Sequence, residues 1–137
     1  MKAIIYTKYG PPEVAQLMEV AKPLPKENEI LVKVYASTVN RTDCGFRSAE
    51  YFISRFWTGI FRPKYQILGC EFAGVIEEIG QGVTTFQIGD HVFGYNDKTC
   101  GGHSEYLTIA ETDAVTCMPE GFTFDEAAAL TEGAHYA

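Results

Sequence analysis

The chain has 137 residues and a formal charge of −7 at pH 7, with 46% hydrophobic residues. That length sets one domain, and that apolar content is enough for a real core. No basic face argues for nucleic acid, and no apolar run reaches membrane-spanning or signal-peptide length, so the expectation is a soluble cytoplasmic protein with neither nucleic acid nor membrane as partner.

Residues 2–6 and 16–20 read as paired strands, joined by the Gly10-Pro11-Pro12 turn, whose prolines cannot continue a ladder. Pro23 and Pro25 break the chain before Glu27-Asn28, a further turn signal. Residues 29–35 alternate as a strand with Ile30, Val32 and Val34 on one face. Residues 42–47 read as a short helix or turn, with Thr42 and Asp43 as capping residues and Gly45 limiting its length.

Residues 51–65 (YFISRFWTGIFRPKY) combine aromatic and basic side chains without a clear period, the composition of a lid or binding loop or of aromatics packed under the core. The stretch 68–94 (LGCEFAGVIEEIGQGVTTFQIGDHVFG) then reads as two strands with turns at Gly82 and at Gly89-Asp90. Gly74 falls inside the first of these strands, where a glycine marks a bulge or the close approach of another backbone. Near the C-terminal end, Thr123 and Glu126 fit a capping box before an alanine-rich helix that nothing obvious terminates. The four cysteines, Cys44, Cys70, Cys100 and Cys117, are far apart and form no Cys-x-x-Cys pair, so reduced thiols are expected.

The order of these motifs carries more than their periodicity. Gly69-Cys70-Glu71-Phe72-Ala73-Gly74, then Glu78-Ile79-Gly80, then Gly89-Asp90-His91-Val92, closely resembles the N-terminal domain of medium-chain dehydrogenase/reductases. The opening strand, GPPEV at 10–14, NEILVKV at 28–34, GHSEYL at 102–107 and DEAAAL at 125–130 fall in the same order. The resemblance implies a mainly β fold, a partly open GroES-like β-barrel with short helices, over residues 1–124. Residues 125–137 would begin the helix leading to a Rossmann domain that lies outside this sequence, since no Gly-x-Gly-x-x-Gly fingerprint occurs here.

Zinc members of that superfamily hold a catalytic metal with Cys, His and Cys; by the resemblance the matching positions here are Asn40, Cys70 and Glu132. Only residues 95–100 join Gly94 to Gly101, where zinc members carry a cysteine-rich structural lobe. The pattern resembles the zinc-free, quinone-oxidoreductase-like branch, which implies NADPH or NADH as cofactor, no zinc, a quinone or enone substrate and a possible homodimer. By that resemblance Asn40 would lie beside the nicotinamide. Arg41 would either approach the pyrophosphate or remain a solvated surface residue. Tyr51 would orient or protonate the substrate, Thr42 stands at a proton-relay position, and Phe56 and Trp57 would line the substrate pocket. Asp43 and Glu71 are expected to serve the local hydrogen-bond network. A zinc-type alcohol dehydrogenase with altered ligands and a non-catalytic GroES-like binding module are the alternatives, and the segment by itself is expected to be inactive.

Overall fold

In the computed structural model, residues 1–49 and 55–135 are described, the side chains of Trp57 and His135 apart. Strand β1 (Lys2–Tyr6) pairs antiparallel with β2 (Ala15–Glu19), and a 3-10 turn at Pro12–Val14 joins them where the prolines end the ladder. The main sheet is antiparallel, in the order β6-β3-β4-β5-β7, from β3 (Glu29–Ser37), β4 (Glu71–Ile79), β5 (His91–Tyr95), β6 (Tyr106–Ala110) and β7 (Val115–Cys117). Isolated bridges from Ala3 to Ser104 and from Ile5 to Ile67 tie the small sheet to segments flanking the main one. Mainly β, with two sheets and no closed barrel among the described residues, this is the open GroES-like architecture expected.

The core lies against the middle strands. Ile30 and Val32 of β3, Phe72 and Ile76 of β4, Val92 of β5 and Leu107 and Ile109 of β6 form one buried cluster, with Val34 packed at its margin. Each such side chain contributes roughly 1.5–3 kcal/mol by leaving water. Leu31 is also fully buried, so β3 is covered on both faces rather than on one.

Gly74 pairs with Val34 on β3, between two register shifts in that strand. A Cβ at Gly74 would sit 2.0 Å from the Lys33 carbonyl oxygen. Here the glycine admits a close neighbouring backbone, the second of the two readings that its position in a strand permits.

Helix α1 (Arg41–Ser48) follows β3, a short helix α2 (Arg55–Thr58) lies in the aromatic segment, and α3 (Phe124–Ala128) and α4 (Thr131–His135) close the chain. Thr123 caps α3 with Glu126 in a complete capping box, as the sequence predicts. Ala127 and Ala128 bury α3 against Ala36 and Ala73 of the sheet. Two expectations are corrected. The cap of α1 is Asn40, with Asp43 as its third-position partner, rather than Thr42 or Asp43. The alanine-rich helix is not continuous: it stops at Ala129 and restarts at Thr131. Among the described residues, no helix is long and apolar enough to cross a membrane.

Candidate active site around Glu71

Four donors from two segments far apart in sequence, residues 38–40 and 131–132, converge on one carboxylate. Glu71, the first residue of β4, is 3% exposed. Its Oε1 accepts from the Thr131 hydroxyl at 2.8 Å and from the Glu132 backbone N–H at 2.6 Å. Its Oε2 accepts from the Asn40 side-chain amide at 3.3 Å and from the Thr38 hydroxyl, at the end of the β3 segment. Burial opposes ionisation of this carboxyl, but hydrogen bonds from Thr38, the Glu132 backbone, Thr131 and Asn40 outweigh it and hold the group below the usual carboxylate range. The capture of the Glu132 N–H also accounts for the interrupted C-terminal helix. A carboxylate bonded to a backbone donor in the first turn of α4 favours a new start there over continuation of α3.

Asn40 is gripped from both sides. Its Oδ1 accepts from the Asp43 backbone N–H at 2.9 Å, and its Nδ2 donates to Glu71. Asp43 is 2% exposed and structural, as expected: its Oδ1 accepts from the N–H groups of Gly69 at 3.0 Å and Cys70 at 3.1 Å, and its Oδ2 from that of Asn40 at 3.2 Å. His103 places Nε2 2.6 Å from the Thr38 carbonyl oxygen and 3.9 Å from Asp43 Oδ2, fixing the chain on the far side of Thr38. Thr42 donates to Glu132 Oε1 at 2.6 Å, so a threonine and a glutamate separated by 90 positions form a second pair beside the first.

The positions matched to zinc ligands do not assemble a zinc donor set. The Asn40 amide is a poor ligand and is fully oriented by Asp43 and Glu71. Glu132 is engaged by Thr42, and the Cys70 thiol lies 3.7 Å from Cys100, in a cluster with Tyr95 and Phe46. No cluster of three His, Cys, Asp or Glu residues suited to a metal ion occurs among the described residues.

Of the residues singled out by sequence, Asn40 and Thr42 meet in this network. Arg41 is exposed at the first position of α1, next to Asn40. Phe56 lies on α2 and is 66% exposed. Tyr51 lies outside the described residues, as does the side chain of Trp57. Sequence reading missed Thr38 and Thr131, two hydroxyls with no local signal beyond their place at element ends. It also missed a cavity of about 470 Å³ lined by Tyr6, Phe46, Thr58, Lys64, Tyr65 and Cys100, among others. Burial pushes the Tyr6 phenol up, with nearby Cys100 adding to the shift, so it remains a neutral donor.

Glu71 on the sheet orients the amide at the α1 N-cap, and the α3–α4 pair returns to the same carboxylate, an arrangement that fits the GroES-like domain of a dehydrogenase/reductase. Residues 26–132 match the family model described as alcohol dehydrogenase GroES-like domain, and the chain belongs to that family, in the quinone-oxidoreductase-like branch of the medium-chain dehydrogenase/reductases. It is 37% identical over 131 residues to a quinone oxidoreductase of Sus scrofa, an alignment covering 95% of this chain and 37% of the relative. Among solved structures, the quinone oxidoreductase from Coxiella burnetii superposes with a TM-score of 0.84 at 31% identity, over 96% of this chain and 41% of that one. The Escherichia coli quinone oxidoreductase complexed with NADPH gives 0.78 at 30% identity, over 94% and 36%. The chain thus spans little more than a third of the length of the curated relatives it matches.

Proposed function

We propose that residues 1–124 form the catalytic domain, and residues 125–137 the start of the connection to a cofactor domain, in an NAD(P)H-dependent oxidoreductase that reduces a quinone or conjugated carbonyl without zinc. The observation that carries the reading is the Asn40–Glu71 pair. The family's metal position holds an amide whose oxygen is committed to Asp43 and whose Nδ2 makes one bond to Glu71. An amide nitrogen has two hydrogens, so one is left to donate into the cleft.

A reduced nicotinamide, when bound, supplies a hydride. Asn40 and the exposed Arg41 beside it are the residues of this chain suited to hold that cofactor, the amide at the ring and the guanidinium at phosphate oxygens. Hydride addition to an isolated carbonyl concentrates charge on one oxygen, which a Lewis acid offsets by several kcal/mol. A quinone or enone spreads the charge through a hydroquinone anion or enolate, and hydrogen bonds then suffice to stabilise it. Tyr51 is the proposed donor to the substrate oxygen, with Phe56 and Trp57 as apolar wall. Thr42, hydrogen-bonded to Glu132, offers a route for a proton between cleft and carboxylate.

The test assays the full-length protein with NADPH and NADH against quinones, enones and simple aldehydes, before and after chelation. Turnover of quinones or enones that survives chelation is the expected outcome. Aldehyde turnover that chelation abolishes, with none on enones, would overturn the proposal.

A further inference from the structure

The Cys70 backbone is tied to Asp43 beside the Glu71 network, while its thiol meets that of Cys100, the best-positioned thiol pair in the described chain. Their sulfurs are 3.7 Å apart, and the two residues are 0% and 6% exposed. The backbone holds both in place. Asn96, itself 5% exposed, donates its N–H to the Cys70 carbonyl at 2.6 Å and its side-chain amide to the Cys100 carbonyl at 3.0 Å. The Cys100 N–H returns to the Asn96 carbonyl at 3.1 Å. Gly102 and His103 bond the carbonyls of Gly69 and Leu68 at 2.8 and 2.9 Å, so the two cysteine-bearing segments are laddered together.

Cys100 also adopts φ of 55°, in the left-handed region that favours glycine. Among the described residues only Ala49 is another non-glycine there. A strained backbone persists where its surroundings over-determine it, and such positions concentrate at functional sites. Here the consequence is a thiol held in van der Waals contact with a second one.

We propose that Cys70 and Cys100 are a reversible oxidation site that closes to an intramolecular disulfide when the protein meets a peroxide. Closure needs the sulfurs to move from 3.7 Å to about 2.05 Å, a shift of ~1.7 Å. Access is from the Cys100 side, because Cys100 lines the cavity of about 470 Å³ and a second, more open one of about 560 Å³. The Cys100 sulfur attacks one peroxide oxygen, giving a sulfenic acid and releasing water. The Cys70 sulfur then attacks the sulfenic sulfur and expels its oxygen as a second water. The peroxide gains two electrons and both thiol hydrogens end in water. Cys70 lines neither cavity, so Cys100 meets the peroxide first and Cys70 resolves the sulfenic acid from the buried side.

The test treats the full-length protein with hydrogen peroxide, blocks remaining thiols under denaturing conditions and maps unreduced peptides. Cleavage after Lys64 and Lys98, with a further cut at Asp113, separates Cys70, Cys100 and Cys117. The expected result is a Cys70–Cys100 cross-linked peptide within one molecule, removed by dithiothreitol. A Cys44→Ser/Cys117→Ser variant, changed only at exposed thiols, gives the same peptide. Adding Cys100→Ser to that variant leaves Cys70 alkylated. Recovery of both thiols alkylated under conditions that oxidise exposed Cys44 and Cys117 would overturn the proposal. So would Cys100 sulfinic acid without a cross-link, or a cross-link found only between molecules.

Discussion

Replacing Glu71 by glutamine keeps the shape of the side chain and removes its charge. One of two oxygens becomes an NH2 group, which cannot accept. Thr38 and Thr131 can turn their hydroxyls to accept from it, but the Glu132 N–H is fixed by the backbone and Asn40 Nδ2 by the cap it makes with Asp43. The new NH2 therefore faces the Oε2 side, where the longest bond, 3.3 Å from Asn40, is lost. Hydrogen bonds to a charged group contribute about 1.5–3 kcal/mol and neutral ones about 0.5–1.5 kcal/mol, and relief of the buried charge offsets part of that difference. The net expectation is a loss of about 2–3 kcal/mol at pH 7, or a fall in Tm of roughly 6–12 °C for a domain of this size. Urea denaturation of wild type and Glu71→Gln, followed from pH 7 to 3, measures it. Because the folded-state carboxyl is depressed, its contribution is complete above the ordinary value of 4.5 and disappears as pH falls through the lower folded value. The gap between the two proteins should therefore be widest near neutrality and close in acid. Equal stability at pH 7, or a gap that does not change with pH, would refute the role given to this carboxylate.

Gly74→Ala should lower stability by about 3 kcal/mol in urea titration, because its methyl would lie 2.0 Å from the Lys33 carbonyl and β3 must give way. Asn40→Ala should cost about 1 kcal/mol by loss of the helix cap, together with most NADPH-dependent turnover. Asn40→Ser, which keeps a capping oxygen but no amide, should recover the thermal stability and not the turnover; recovery of both would reduce Asn40 to a cap. Tyr51→Phe should lower kcat about 100-fold at unchanged Tm if its hydroxyl serves the substrate. An unaltered kcat would remove it from the mechanism.

Local chemistry wrote much of this fold legibly. The alternation at Ile30, Val32 and Val34, the prolines after β1 and the Thr123–Glu126 box each act over a few residues, so strand, turn and cap could be read without coordinates, while the glycine inside β4 left a bulge and a close approach both open. The ordered motifs likewise marked Asn40 as the residue standing where a metal ligand stands elsewhere. What could not be read was convergence. Thr38, Asn40, Thr131 and Glu132 reach Glu71 across 31 to 61 positions, and the break between α3 and α4 follows from that capture rather than from any glycine or proline. The contact between Cys70 and Cys100 is of the same kind, 30 positions apart with no spacing rule to announce it. Periodicity and capping are properties of neighbours along the chain. Which carboxylate meets which donor is settled only when the sheet fixes its register and brings distant strand ends together.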